Sequence, residues 1–298
     1  MSGPVRRSGT VAVVGRPNSG KSTLVNALVG RKVAIVSDKP QTTRRRILGI
    51  RNAPEGQIVF VDTPGLHKPL HRLNKVMMDE ALEAIREVDL RVLVVDASVP
   101  EGGGDRWTAE LLAKGPRPNV ALLNKIDCVA VKSALLPRMA ALAQAGAFEE
   151  IVPVSALTLD GLDALPALLL RYLPEGDELF PVETLTTTDE RTRWAEIIRE
   201  KFLERTREEI PYGLGVVVDD VGRDEAKNMT VVMATVVVDK DGHRRIVVGA
   251  GGRLLRDAGT AARLELEQTF GGRFFLELTV AARPGWREDA RFLAALTS

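Results

Sequence analysis

Eight consecutive residues, Gly15-Arg16-Pro17-Asn18-Ser19-Gly20-Lys21-Ser22, fit the pattern G-x-x-x-x-G-K-[ST] directly after an apolar run at 11–14. The glycines let backbone N–H groups curl around phosphate oxygens, and a helix starting at Lys21, Ser22 and Thr23 turns its unpaired N–H groups toward an anion. In such a loop the lysine reaches the β- and γ-phosphates and the serine hydroxyl ligates Mg²⁺. The pattern specifies phosphate and not the base, so an ATPase or a small-molecule kinase stays open at this point.

Three further motifs narrow the choice. Asp62-Thr63-Pro64-Gly65-Leu66 closes an apolar run at 58–61. The Asp62 carboxylate there can hold Mg²⁺ through water and the Gly65 N–H can sense a γ-phosphate, whereas a plain turn accounts only for Pro64 and Gly65. Asn124-Lys125-Ile126-Asp127 ends the run 120–124, at the carboxyl edge where a doubly wound sheet binds its ligand. Guanine presents N–H donors at N1 and N2 where adenine has none, so Asp127 can accept two hydrogen bonds and reject adenine. Asn124 braces the loops and the Lys125 stem covers the base. Ser155-Ala156-Leu157 follows the run 151–155; its backbone N–H groups can reach guanine O6, and the small Ala156 lets the chain approach. GTP rather than ATP is the expected nucleotide.

These motifs need a scaffold that brings strand ends together, and the pattern supplies one. Short β-branched runs at 11–14, 58–62, 90–96, 120–124 and 151–155 alternate with amphipathic stretches, which predicts a doubly wound, mostly parallel α/β domain. The stretch 173–189, with Pro174, Gly176, Pro181 and the threonines 186–188, has the punctuation of a linker. Beyond it the order becomes a helix (194–207), strands (215–219 and 230–239), a Gly-rich turn after the apolar strand end Ile246-Val247-Val248, a helical stretch and a last strand (273–280), a smaller α+β module. The expected domains are a tail at 1–8, a nucleotide domain at 9–178, a linker at 179–190 and the second module at 191–298.

With 298 residues, 45% hydrophobic and 27% charged, the chain is long enough for two cores. A formal net charge of +1 gives no polybasic field, so any nucleic-acid partner must be recognised locally. The single cysteine, Cys128, excludes an internal disulfide and favours a reducing cytoplasm. Arg6 and Arg7 are not followed by a signal-peptide core, and no apolar run approaches the roughly 20 residues that span a bilayer. His67 and His71 at helical spacing have no third ligand nearby in sequence and are read as loop histidines rather than a metal pair.

The order and spacing of these motifs, with the intervening Gln41-Thr42-Thr43-Arg44, resemble the Era family of bacterial GTPases over nearly the whole chain. The resemblance implies an α/β P-loop GTPase domain followed by a type II KH domain. It places Thr42 and Thr43 in the first switch, one of them on Mg²⁺ in the GTP state, without saying which. It also implies that Asn18 helps hold a potassium ion that offsets phosphate charge. Leu66 stands where many small GTPases carry a water-orienting glutamine, so intrinsic hydrolysis is expected to be slow. Arg44, Arg45 and Arg46 offer a cis arginine, though solvated or RNA-facing arginines are the favoured reading.

In the second module, Gly249-Ala250-Gly251-Gly252 is a G-x-x-G turn of the kind with which KH domains clamp about four unpaired nucleotides. Leu173-Pro174-Glu175-Gly176, Thr206-Arg207-Glu208-Glu209-Ile210-Pro211 and Pro284-Gly285-Trp286-Arg287 extend the resemblance. Relatives usually carry a lysine inside the turn, and this chain has Ala250 and Gly251. Residues 191–298 hold 18 Lys plus Arg and 17 Asp plus Glu, so affinity must come from arginines near the turn, Arg244, Arg245, Arg253 and Arg256. Trp286 is assigned either to stack on a base or to cap the core. The function implied is a Mg²⁺-dependent GTPase, cytoplasmic and monomeric, that binds the 3′ end of 16S ribosomal RNA, assists small-subunit assembly and rRNA maturation, and touches the inner membrane face weakly; DNA is not expected as a partner. A GTPase that partners in transfer-RNA modification, or an RNA-binding scaffold with a degenerate nucleotide site, are the other readings.

Overall fold

The computed structural model describes residues 6–39, 41–66, 71–290 and 292–293. His67 lies outside them. Two compact units emerge: one takes in 1–34, 43–70 and 74–187, the other 35–42, 71–73 and 188–298.

The first unit is a six-stranded sheet, with β1 (Arg7–Val14), β2 (Ile47–Ala53), β3 (Gly56–Asp62), β4 (Leu90–Asp96), β5 (Asn119–Asn124) and β6 (Glu150–Pro153) in the order β2-β3-β1-β4-β5-β6. All neighbours are parallel except β2 against β3. Successive β1 residues feed opposite faces: Val11 and Val13 pack with Leu24, Phe60 and Leu169, while Ala12 and Val14 pack with Ala81, Leu93 and Leu112. A strand buried on both sides reads as a continuous apolar run, which is why β1, β3, β4 and β5 were legible in the sequence. The helices are α1 (Lys21–Val29), α2 (Arg72–Glu87), α3 (Gly103–Ala113), α4 (Leu135–Gln144) and α5 (Leu165–Leu170).

Two differences from the sequence reading have physical causes. The edge strand β2, Ile-Leu-Gly-Ile-Arg-Asn-Ala, follows three arginines and alternates only partly, so it carries no clear period-2 signal, yet it pairs with β3 over its full length. The expected linker is also not free over its first part. Gln57 of β3, fully buried, accepts from the Leu179 and Phe180 N–H groups (2.9 Å each) and donates to the Phe180 carbonyl (2.7 Å). Asn52 donates to the Val182 carbonyl at 2.7 Å, and the Ile50 N–H to the Leu185 carbonyl at 2.8 Å. Residues 179–185 thus form a strap along β2, satisfying an edge that would otherwise present open N–H groups.

The second unit runs α6 (Glu190–Arg205), β7 (Gly215–Asp224), β8 (Met229–Val238), α7 (Asp241–Val248), α8 (Arg253–Phe270) and β9 (Arg273–Ala282). Its sheet is β7-β8-β9, antiparallel then parallel. Phe202, Val216, Val236, Val247, Ala258 and Ala262 form its core. Asp189 caps α6 by accepting from the Thr192 N–H at 3.0 Å. The apolar stretch Ile246-Val247-Val248, expected to end a strand, is instead the last turn of α7. His243 and Val247, four apart, are its buried residues, the spacing of a helix that packs by one face.

Candidate functional site: a phosphate loop, a hydroxyl–carboxylate cluster and a base-reading edge

The phosphate loop spans the gap between β1 and α1 at the point where strand order reverses. Gly20 sits at φ 94°, and a Cβ there would lie 2.3 Å from Asn124 Nδ2, so both conformation and space require glycine. Lys21 is buried and donates through Nζ to the Gly15 and Arg16 carbonyls at 3.2 and 2.9 Å. Burial lowers its ammonium to about 8, against the opposing pull of Asp62. Asn18 adopts φ 62°, a left-handed position within the loop. The α1 N-terminus adds backbone donors at Lys21, Ser22 and Thr23.

Across the loop mouth, Ser22 Oγ donates to Asp62 Oδ2 at 2.6 Å and lies 2.8 Å from Thr43 Oγ1, which is itself 3.4 Å from Asp62 Oδ2. Asp62 is fully buried; burial raises its carboxyl to about 6 despite Lys21 and the two hydroxyls. Its other oxygen, Oδ1, is buried without a hydrogen-bond partner. Two hydroxyls and one carboxylate, one of whose oxygens is unsatisfied, are a hard-oxygen set suited to Mg²⁺. Thr42 is not part of it: its hydroxyl donates to the Lys39 carbonyl at 2.6 Å. Thr63 is tied to β1 through the Val13 carbonyl (2.8 Å). Gly65 faces Pro17, and a Cβ would stand 2.7 Å from the Pro17 nitrogen. Leu66 is buried and donates its N–H to the Gly15 carbonyl at 3.1 Å. Of the three arginines, Arg44 is buried and Arg46 pairs with Glu83 and Glu87 of α2, which accounts for two of them without RNA.

At the ends of β5 and β6 the residues expected to read the base converge. Asn124, buried, donates to the Ser19 carbonyl and accepts from the Ala156 N–H, both at 2.9 Å, so it ties the phosphate loop to the Ser155-Ala156-Leu157 loop. Ser155 Oγ donates to Asp127 Oδ1 at 2.6 Å, a bond that holds this exposed carboxyl below the ordinary range and sets its direction. Ile126 is buried beneath the loop, and Leu157 is 76% exposed. Lys125 donates to the Asn18 carbonyl (2.7 Å) and to Asp96 Oδ2 (2.6 Å). Asp96, at the end of β4, was not singled out in the sequence. Burial raises its carboxyl, but hydrogen bonds from Lys125 and Ser98 outweigh that and hold it low. Its signal was its place at a third strand's carboxyl end.

In the second unit α7 ends at Val248 and the turn follows, with Gly249, Gly251 and Gly252 all at positive φ (75°, 58° and 75°). A Cβ at Gly249 would come within 2.9 Å of the Leu254 backbone nitrogen, whereas Gly251 and Gly252 face open space. Arg244, Arg245, Arg253 and Arg256 flank the turn in sequence, all exposed, and Arg256 reaches the Gly251 carbonyl at 3.5 Å. Ala250 is exposed. Trp286 does not join them. It is fully buried, its indole N–H donates to the Gly213 carbonyl at 3.2 Å, and Phe292 packs against it edge-on; of the two roles open to it, the core cap is the one the packing supports. No group of three or more His, Cys, Asp and Glu among the described residues could hold a metal ion, and none of the described helices is long and apolar enough to cross a membrane.

Comparison with known proteins agrees with this geometry. Residues 10–125 match the family of 50S ribosome-binding GTPases and residues 209–287 the KH domain family. Similar proteins include the GTPase Era of Geobacter metallireducens, 46% identical over 99% of both chains, and that of Heliobacterium modesticaldum, 44% identical over 95% of this chain and 94% of the relative. Among solved structures, Era in complex with MgGDPNP and nucleotides 1506–1542 of 16S ribosomal RNA superposes with a TM-score of 0.94 at 37% identity, covering 98% of each chain. An Aquifex aeolicus Era variant bound to GDP and AlF₄⁻ gives 0.92 at 36% identity, covering 97% of this chain and 98% of that one.

Proposed function

Because the chain belongs to the GTPase Era family, we propose that it is a nucleotide-switched binder of the 3′ end of 16S ribosomal RNA that assists assembly of the small ribosomal subunit. It is a GTPase, using GTP, GDP and Mg²⁺. The observation that carries the reading is the union, on one chain, of a guanine-reading edge tied by Asn124 to a phosphate loop and a G-x-x-G turn flanked in sequence by four exposed arginines.

Within the nucleotide site we assign Lys21 and the α1 N-terminus to the phosphates, and Asp127 with the Ala156 N–H to the base. Ser22, Thr43 and Asp62 would hold Mg²⁺, which when bound offsets charge on the β- and γ-phosphates. Thr43 rather than Thr42 is the switch ligand, because only its hydroxyl lies with Ser22 and Asp62. Gly65 offers its N–H toward the γ-phosphate, and Leu66 brings no polar atom to orient water, so turnover is slow without a stimulating partner. Asn18 is assigned to a potassium ion on the strength of the family resemblance. In the second unit, Gly249 to Gly252 clamp the RNA backbone, and Arg244, Arg245, Arg253 and Arg256 replace the absent turn lysine. The same resemblance supports a cytoplasmic monomer with weak peripheral contact at the inner face of the membrane.

The test is binding of a single-stranded RNA copying the 16S 3′ end, with a GTP analogue, with GDP, and with the Gly251→Asp variant. Tighter binding with the analogue than with GDP, abolished by the substitution, is the expected result. Binding indifferent to both nucleotide and substitution would leave a GTPase whose second unit serves another purpose.

A further inference from the structure

The run Gly102-Gly103-Gly104-Asp105 at the start of α3 belongs to none of the motifs, yet it is built around one phosphate-loop side chain. Arg16 Nε lies 2.8 Å from Asp105 Oδ1, and the Asp105 side chain is only 2% exposed. Neither of these two atoms makes an aligned hydrogen bond, so the pairing is chiefly coulombic. Asp105 Oδ2 meanwhile accepts from the Gly102 N–H at 3.2 Å, closing the first turn of α3. One buried carboxylate therefore serves the helix start with one oxygen and the phosphate loop with the other.

The glycines explain how the arginine fits. A Cβ at Gly102 would stand 2.5 Å from Arg16 Nη1, and one at Gly104 would stand 3.0 Å from both Cγ and Cδ. Gly102 has φ −104°, and Gly104 is not among the positive-φ residues. Backbone freedom is thus not what these two glycines supply. They supply room: a Cβ at either position would press on the Arg16 side chain where it lies along the start of α3.

What this placement controls follows from the rest of Arg16. Its carbonyl accepts from Lys21 Nζ at 2.9 Å and from the Ser19 N–H at 3.4 Å. The residue whose side chain is anchored on α3 is also one of the two, with Gly15, whose carbonyls hold the lysine. Leaving a nearly buried carboxylate without its partner is strongly disfavoured, so the anchor resists displacement of the loop.

We propose that Asp105 is a positioning residue for the phosphate loop, acting through Arg16, with Gly102 and Gly104 leaving the room that makes the anchor possible. The proposal rests on the guanine-nucleotide reading of that loop. An anchor of this kind serves ground state and transition state alike, so it governs nucleotide residence and affinity more than the chemical step.

The experiment is release of a fluorescent GDP from the full chain, with equilibrium affinities for GDP and GTP and single-turnover hydrolysis. Asp105→Asn keeps an oxygen for the Gly102 N–H while removing the charge. It and Arg16→Gln are each expected to speed GDP release by about tenfold, the scale of one broken partly buried ion pair. The double variant should fall within about twofold of either single variant, because both remove one interaction. Gly104→Ala, which leaves both charges in place but crowds the Arg16 side chain, should move release in the same direction, and guanine-over-xanthine preference should stay unchanged throughout. Release within about twofold of the parent in the two charge variants, or additive effects in the double variant, would overturn the proposal. A parent chain that binds no guanine nucleotide would overturn the GTPase reading instead.

Discussion

Asp127 and Asp62 are both carboxylates, and their surroundings assign them opposite work. Asp127 is exposed and aligned by Ser155, and its ionised form is favoured; that suits a fixed acceptor for two guanine N–H groups. Asp127→Asn should therefore cost GTP roughly 10²–10³-fold in affinity, two charge-assisted bonds at about 1.5–3 kcal/mol each partly replaced, while xanthine nucleotide binding improves. Equal GTP affinity in competition binding would remove Asp127 from the base site. Asp62 is buried, and burial lifts its carboxyl to about 6. As pH falls through that value the metal-free site takes up a proton where Mg²⁺ should bind, so Mg²⁺–GDP affinity should weaken by up to about tenfold per pH unit below 6. For the metal-free fold the sign is reversed: a carboxyl raised above its ordinary 3.8 is best accommodated when protonated, so this group's contribution to stability is lost as pH rises toward 6. Lys21, lowered to about 8, sets the other limit, since above that pH it loses the charge that attracts phosphate. Titration calorimetry from pH 5 to 9 should show a plateau between about 6 and 8, and a flat profile below 6 would contradict the burial of Asp62.

The strap at 179–185 shows an element whose structure comes from what it lies against. Its sequence has no period and reads as a tether. Gln57 nevertheless satisfies both its amide oxygen sites and both its N–H groups, three of these bonds going to Leu179 and Phe180 and the fourth to Asn52 at 2.8 Å. A buried amide with every valence used is a clamp, and removing it leaves the strap's backbone donors unpaired. Gln57→Leu should destabilise the first unit by about 2–4 kcal/mol, read as a lower urea midpoint with an unchanged slope in nucleotide-free protein, and should raise protease sensitivity near residue 182. A midpoint within error of the parent would mean the strap is held by its other contacts. The α7 correction has the same lesson from the other side: Ile246-Val247-Val248 suits a strand by β-branching, but burying His243 and Val247 on one face needs a helix, and packing overrides propensity.

At the scale of the whole molecule the charges nearly cancel, with a net of +1, so RNA affinity must depend on where the cations are. Four exposed arginines flanking the turn in sequence predict a shallow salt dependence. If all four neutralise phosphates, the slope of log K against log salt is roughly −3 for single-stranded RNA, and Arg253→Gln should reduce it by about 0.7 without changing sequence preference. A slope unaffected by that substitution would place the RNA elsewhere on the chain. Each unit also has its own apolar core, so each could be perturbed separately by ligands that bind only it.

Much of this was legible in the residues alone. The phosphate-loop pattern, the Asp62 turn, the Asn124–Asp127 motif and the strands that carry them are local patterns, because a strand buried on both faces must be apolar throughout and a loop that cradles phosphate must place glycines where side chains would obstruct it. The tertiary structure decided what depends on residues distant in sequence. It brings Thr43, and not its neighbour Thr42, to Ser22 and Asp62; it withdraws Trp286 into the core; it recruits Asp96 to Lys125 and Asp105 to Arg16. Adjacent threonines are chemically alike, and an ion pair between residues far apart in the chain leaves no periodic trace; which of these groups meet is set by how strands and helices pack.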